Sequence, residues 1–288
     1  MIRLTSIGSV LALLLGVTLP AAAGEPHPFS VHDMLAMDRL SDHQVSPDGK
    51  MIVFVLRKTD LEANKGRTDL WLVDVDGKNL RQLTTHPDAD MNPRWMPDGK
   101  SILFISLRSG SAQVWRISVD GGESEQVTKM PLDVGCLVVS PDGKKIAVSM
   151  EVFPGSSVEE TKKRLEKRTK EKTTGQVYDR LFFRHWDTWK DGRRSHVLVR
   201  AVGATDDDFV DVMKDMDADC PTKPFGGPEE IAFTPDGDGI VFTARNVGEK
   251  EAWSTDLDLY VAPTDGSAEP GCLTDANEAV DTAPAFSP

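Results

Sequence analysis

Cysteine is scarce, with three in 288 residues, and tyrosine scarcer, with two. So few thiols exclude a disulfide framework; a Cys220–Cys272 bridge is permitted, and isolated thiols at Cys136, Cys220 and Cys272 fit equally well. Catalytic signatures are missing too. There is no Gly-x-Ser-x-Gly elbow, no Gly-x-x-x-x-Gly-Lys phosphate loop and no His-Glu-x-x-His pair, and nothing calls for a cofactor. The "GDG" at Gly237 to Gly239 lacks the later glycine of a dinucleotide site. Positive charge is in deficit: 33 Lys and Arg against 46 Asp and Glu leave a net charge of −13. Such a surface repels phosphate backbones and anionic lipid, which argues against nucleic acid as a partner.

Long apolar runs are absent after the first two dozen residues. "MIRLTSIGSVLALLLGVTLPAAAG" carries one basic residue, Arg3, an apolar run from Val10 to Leu19, and Ala21-Ala22-Ala23. That is the plan of a cleavable export signal over residues 1–23, with cleavage after Ala23 and a periplasmic or secreted product. The run is too short to span a bilayer, which takes roughly 20 apolar residues, and no later segment reaches that length, so membrane insertion is not expected.

What the chain does have is a repeat. "VSPDGK" stands at Val45 to Lys50 and again at Val139 to Lys144, "WMPDGK" at Trp95 to Lys100, and "FTPDGD" at Phe233 to Asp238. Proline presets the first corner of such a turn, Asp caps it, and Gly takes the conformation that other residues resist. Each turn is followed by strand-like runs such as "MIVFVL" and "DLWLVDVDG", and most units close on "QLT", "QVT" or "CLT". Four short antiparallel strands repeated every 40 to 50 residues or so describe a propeller blade. The fold expected is therefore an all-β propeller of four blades, at about 45–84, 96–128, 139–215 and 233–274, after an N-terminal segment at 24–44 with a short helix. "APAFSP", Ala283 to Pro288, repeats the lead-in of a fifth blade. An incomplete ring, a piece of a longer protein, is the expectation, because a propeller closes to remove its sheet edges.

The 94-residue gap between Pro141 and Pro235 marks an insertion in the third blade, at about 151–195. "SSVEETKKRLEKRTKEKT", Ser156 to Thr173, predicts a helix with a capping box from Ser157 to Glu160. Its apolar residues are sparse, so it is expected to be solvated. "YDRLFFRHWDTWKDGRR" interleaves aromatics with arginines, including Arg184 and Trp186. Such a segment can line a peptide or carboxylate site, or anchor the insertion to its blade. His185 and His196 are too loosely placed to argue for a metal. The run Asp206 to Asp219 lacks the order of a calcium loop and reads as a solvated acidic hairpin. Glu229 and Glu230, in "FGGPEE", could together hold a substrate's free amine, or simply make a blade entrance acidic.

"FSVHDMLAMDRLSDHQVSPDGKMIVFV", "YDRLFFRHWDTWKDGRRSH" and "PFGGPEEIAFTPDG" together resemble the S9 prolyl oligopeptidase family, in its bacterial dipeptidyl aminopeptidase/acylaminoacyl peptidase branch. The Pro-Asp-Gly repeats alone would be shared with TolB-like propellers. The resemblance implies a propeller that admits short peptides to an α/β-hydrolase domain with a Ser, Asp and His triad, no member of which can be placed on this chain. In dipeptidyl members paired glutamates grip the substrate amine; here the usual aromatic-Glu-Glu context is missing around Glu229 and Glu230. The rival reading is a non-catalytic periplasmic TolB-like propeller that binds a protein partner.

Overall fold

A computed structural model describes residues 27–179, 181, 183–185 and 187–287. The export signal expected at 1–23, together with Trp186 and Pro288, lies outside them. The chain divides into two units, Met1–Ala36 and Met37–Pro288. In the first, helix α1 (Val31–Ala36) starts at Ser30, whose Oγ and N both donate to Asp33 Oδ2 at 2.7 Å. No helix among the described residues is long and apolar enough to cross a membrane.

The second unit is built of four four-stranded antiparallel sheets, the blades of a β-propeller. Blade one holds β1 (Arg39–Val45), β2 (Met51–Asp60), β3 (Lys65–Asp74) and β4 (Arg81–Gln82). Blade two holds β5 (Asp90–Trp95), β6 (Ser101–Ser106), β7 (Gln113–Ser118) and β8 (Glu125–Gln126). Blade three starts with β9 (Val134–Val139) and β10 (Lys145–Val152). Its course is interrupted by helix α2 (Val158–Lys170) and a small hairpin, β11 (Arg184–His185) and β12 (Thr188–Trp189). It resumes with β13 (Arg194–Ala201) and β14 (Val210–Asp211). Blade four holds β15 (Ile231–Phe233), β16 (Gly239–Ala244), β17 (Asp258–Pro263) and β18 (Gly271–Cys272). Each sheet begins ahead of the boundary expected from its turn, at Arg39, Asp90, Val134 and Ile231, because the lead-in strand precedes the proline. Among the described residues no sheet closes on itself.

The repeated turn works through side chains as well as backbone. Ser46 Oγ donates to Asp48 Oδ1 at 2.7 Å and accepts from Met51 N at 2.9 Å, while Gly49 sits at φ +71°. Ser140 with Asp142, and Thr234 with Asp236, repeat the pattern. A second repeated device fastens the outermost strand. Thr84, Thr128 and Thr274 each accept from a backbone N–H of the third strand, at Leu70, Val114 and Leu259, over 2.9 to 3.0 Å. Thr128 also donates to Gln113 Oε1 at 2.8 Å, and Thr274 to Asp258 Oδ1 at 2.9 Å. Blade three replaces the threonine: His196 Nδ1 meets Asp211 Oδ2 at 2.8 Å.

The middle strands are apolar on both faces because each blade packs against the next. β6 is buried at every residue, and β10 at all but Lys145 and Glu151. Three clusters fill the seams: Val53, Leu70, Leu72, Ile102 and Phe104 between blades one and two; Leu103, Ile105, Leu137, Ile146 and Leu198 between two and three; Val197, Val199, Ile240, Phe242 and Tyr260 between three and four. At about 25 cal/mol per Å² of apolar surface, these seams are the main favourable contribution to folding.

Polar groups are buried in the first seam too. Asp90 is fully buried and accepts from Arg108 at 2.7 Å, and Arg108 lies 5.0 Å from the Trp115 ring centroid. Burial, with the Asp90 charge adding to it, pushes the Asp69 carboxyl up to about 6, against hydrogen bonds from Thr84 and Gln82 and the Arg108 charge.

Two expectations about blade three need correction. Helix α2 has its capping box, but it is not simply solvated: Thr161 is fully buried, its Oγ1 accepts from Phe153 N at 3.2 Å, and Arg164 stacks 3.7 Å from the Phe153 ring centroid. The acidic run is likewise no free hairpin, since Asp206, Asp211, Asp217 and Asp219 face Arg200, His196 and Arg194. All three cysteines are free, so the permitted Cys220–Cys272 bridge is not formed.

Two measurements check this account. Thr128→Val keeps the shape but strips a fully buried hydroxyl from Gln113 and Val114, and is expected to destabilise by about 2 kcal/mol in urea unfolding. For Asp69 the folded chain holds the proton more tightly than the unfolded one. Its contribution is therefore full below about pH 4 and is lost as pH rises through about 6. Asp69→Asn should flatten the fall in melting temperature between those values.

Candidate functional site

The first strands of blades one to three and the 3-10 turn ahead of blade four (Pro228–Glu230) face a common cleft of about 400 Å³, lined by Asp42, His43, Gln44, Arg94, Val138, Pro228 and Glu229. Bulges in β1 and β5 aim its polar groups. Pairing slips between Ser41 and Gln44, and between Met91 and Arg94, with Asp42 at φ 44° and Asn92 at φ 54°. Asp and Asn tolerate this left-handed backbone better than most residues. Arg94 reaches Asp42 Oδ1 at 2.9 Å, Asn92 Nδ2 donates to Asp42 Oδ2 at 3.0 Å, and Leu137 N donates to Asn92 Oδ1 at 2.6 Å. Trp95 Nε1 adds a bond to Gln44 O at 3.0 Å. One polar chain thus links blades one, two and three.

The two glutamates suggested by sequence part company here. Both lie in the 3-10 turn Pro228–Glu230, but Glu230 is buried and Glu229 exposed. Glu230 accepts from Thr222 N at 2.6 Å and from Thr222 Oγ1 at 2.7 Å. Burial raises its carboxyl above the usual range, against bonds from Thr222 and, on the segment after blade four, Thr282. Its position explains the role. Asp42, Asn92 and Glu230 each stand five residues before the proline of their blade's turn, and each bonds to the following repeat. Glu229 alone of the pair is left on the cleft. Gly226 belongs to the same loop, where an added Cβ would come within 2.4 Å of Glu230 Oε2 and 2.5 Å of Thr222 N.

A larger cleft, about 880 Å³, lies between α2, the chain on either side of the β11–β12 hairpin (residues 173–179, Phe183 and residues 190–194) and the segment Gly248–Glu251. Arg194 anchors its floor. Its guanidinium meets Asp217 at 2.7 Å, Asp219 at 2.9 Å and Glu251 at 2.8 Å, and Lys190 also reaches Glu251, at 2.5 Å. Burial alone would raise the Glu251 carboxyl, but the bonds from Arg194 and Lys190 outweigh it and hold it down at about 2. On the hairpin, Tyr178, Phe183 and Trp189 stack on one another at 5.3 to 6.0 Å between centroids. Arg184 is exposed, 5.4 Å from the Trp189 ring centroid, and does not join Glu229 and Glu230. Trp186 lies outside the described residues. No group of three or more His, Cys, Asp or Glu suited to a metal occurs among the described residues.

Sequence patterns left three things unseen: the Asp42–Arg94–Asn92 chain, the Arg194 hub, and the inward face of α2. The first had a usable signal in the constant offset from the turn. The other two depend on partners distant in sequence.

Residues 40–177 match the family model for the TolB beta propeller domain. The chain is 30% identical over 258 residues to dipeptidyl-peptidase 5 of Porphyromonas endodontalis, covering 88% of this chain and 36% of that protein. It is 27% identical over 234 residues to the uncharacterized peptidase YuxL of Bacillus subtilis, covering 80% and 33%. The chain therefore spans about a third of the length of these relatives. Among solved structures, Pyrococcus horikoshii acylaminoacyl peptidase superposes with a TM-score of 0.54 at 17% identity, over 83% of this chain and 33% of that one. That likeness speaks for the fold. In sequence the chain is thus similar to part of these peptidases, and in fold to a propeller.

Removing the Glu230 carboxylate strands Thr222, so Glu230→Ala is expected to lower stability by about 2 kcal/mol. Glu229→Gln should leave the melting temperature unchanged. Thermal unfolding of both variants separates the structural carboxylate from the open one.

Proposed function

We propose that this chain, as the propeller portion of an exported S9-type peptidase, screens short peptides on their way to a hydrolase domain outside these 288 residues. The observation that carries the reading is the extent of the peptidase likeness. It runs over 88% of the chain, well beyond the stretch 40–177 that a propeller family model alone recognises. The missing Gly-x-Ser-x-Gly elbow agrees with a nucleophile carried elsewhere. In that arrangement the cleft around Asp42, Arg94 and Glu229 faces the path of the peptide. Glu229 offers a carboxylate to the free amine, while Arg94, tied to Asp42, keeps the entrance from being uniformly anionic. Arg184, also singled out from sequence, belongs to the hairpin of the insertion. The leader at residues 1–23 would deliver the protein to the periplasm or the medium.

The same observation disfavours a TolB-like propeller without catalysis, which would not need relatives of peptidase type over blade four and the insertion. The test is made on the gene product read past the codon for Pro288. A longer protein should release p-nitroaniline from dipeptide substrates, and Glu229→Gln should raise KM about tenfold for a free-amine substrate with little change in kcat. A reading frame that stops at Pro288, with no hydrolase downstream, would overturn the peptidase reading.

A further inference from the structure

Helix α2 presents arginines to the larger cleft in a way the rest of this acidic chain does not. Thr161, Arg164 and Arg168 follow one another at helical spacing, so they share the face that is turned toward the blade. Thr161 seals that face against Phe153, Arg164 rests on the Phe153 ring, and both arginines line the cleft. Arg194, Lys190 and Arg193, deeper in the cleft, are neutralised by Glu251, Asp217, Asp219 and Asp191. Among the described residues neither Arg164 nor Arg168 takes part in an ion pair. Arg168 is half-buried and lines the cleft. A half-buried arginine with no ion pair among the described residues is an uncommon arrangement, because its fork of donors fits a carboxylate. In a chain of net charge −13 it is not part of a general cationic background.

Two other walls narrow the ligand. Tyr178 and Phe183 provide an aromatic surface that can bury one large apolar side chain. Glu171 and Glu249 also line the cleft, and they would repel a polyanion such as a polyphosphate or an oligonucleotide. What remains is a ligand with a single carboxylate beside an aromatic group. At about 880 Å³ the cleft is in the size range of sites that enclose a small organic ligand, which suits a peptide of a few residues.

We propose that the cleft under α2 is a peptide-binding site of its own, in which Arg168, supported by Arg164, takes a peptide carboxylate while the Tyr178–Phe183 wall receives the neighbouring aromatic side chain. The site is separate from the entrance lined by Glu229 and does not rest on the role given to that residue.

Calorimetric titration of the full 288-residue chain with three N-acetylated tripeptides tests it. The acetyl group removes the amine on which the Glu229 reading depends. N-acetyl-Ala-Ala-Phe carries a terminal carboxylate, N-acetyl-Ala-Glu-Phe-amide a side-chain carboxylate, and N-acetyl-Ala-Ala-Phe-amide none. At least one carboxylate-bearing peptide is expected to bind about tenfold more tightly than the neutral amide, and which of the two does so identifies the source of the carboxylate. In Arg168→Gln that preference should fall to nearly one, while Lys163→Gln, changed on the exposed part of the same helix, should keep it. The double comparison separates loss of the contact from loss of the fold. Equal binding of all three peptides, no binding of any, or a preference that survives Arg168→Gln would overturn the proposal.

Discussion

A four-stranded sheet with apolar side chains on both faces cannot stay in water alone; it has to be covered by the sheets before and after it. That requirement explains why β6 and β10 are buried almost throughout, and why the core is divided among seams. It also explains why the polar groups of the first strands are spent on neighbours. The Asp42–Asn92–Leu137 chain aligns one blade to the next without using apolar surface, so the seams can slide little once the sheets have met. The cleft beside that chain is a by-product of stacking blades around their first strands.

Much of this was legible because it is local. The Pro-Asp-Gly turn is set by three consecutive residues, and the start of α2 by Ser157 and Glu160, so both survive being read one stretch at a time. The threonines of "QLT", "QVT" and "CLT" marked the closing strand, although their hydroxyls turned out to hold it as well. The site was less legible. Glu229 and Glu230 are adjacent and alike in a one-dimensional reading, yet one rotation of the chain puts Glu230 under Thr222 and leaves Glu229 in the open. The acidic run misled for a similar reason: its counter-charges, Arg194 and Arg200, lie on β13, and only the pairing of β13 with β14 and the loop after it brings them together.

The insertion shows how a propeller acquires a new surface without disturbing its sheets. Residues between β10 and β13 leave blade three at one end and return in register: Val152 pairs with Arg194, and Lys145 with Ala201. The added helix is secured by Val158 against the core between blades two and three, and by Thr161 and Arg164 against Phe153. Further along the helix, Arg164, Arg168 and Thr169 line the larger cleft.

Arg194 has a consequence for how the third and fourth blades separate. Its three carboxylate partners come from two places, the loop after β14 and the segment before β17, and Asp219 and Glu251 are shared with Lys223 and Lys190. Withdrawing any one cation leaves a carboxylate with half its neutralising charge in a poorly hydrated place. Separating the two blades therefore breaks several shared ion pairs at once, and Arg194 ties the end of the insertion directly to the fourth blade.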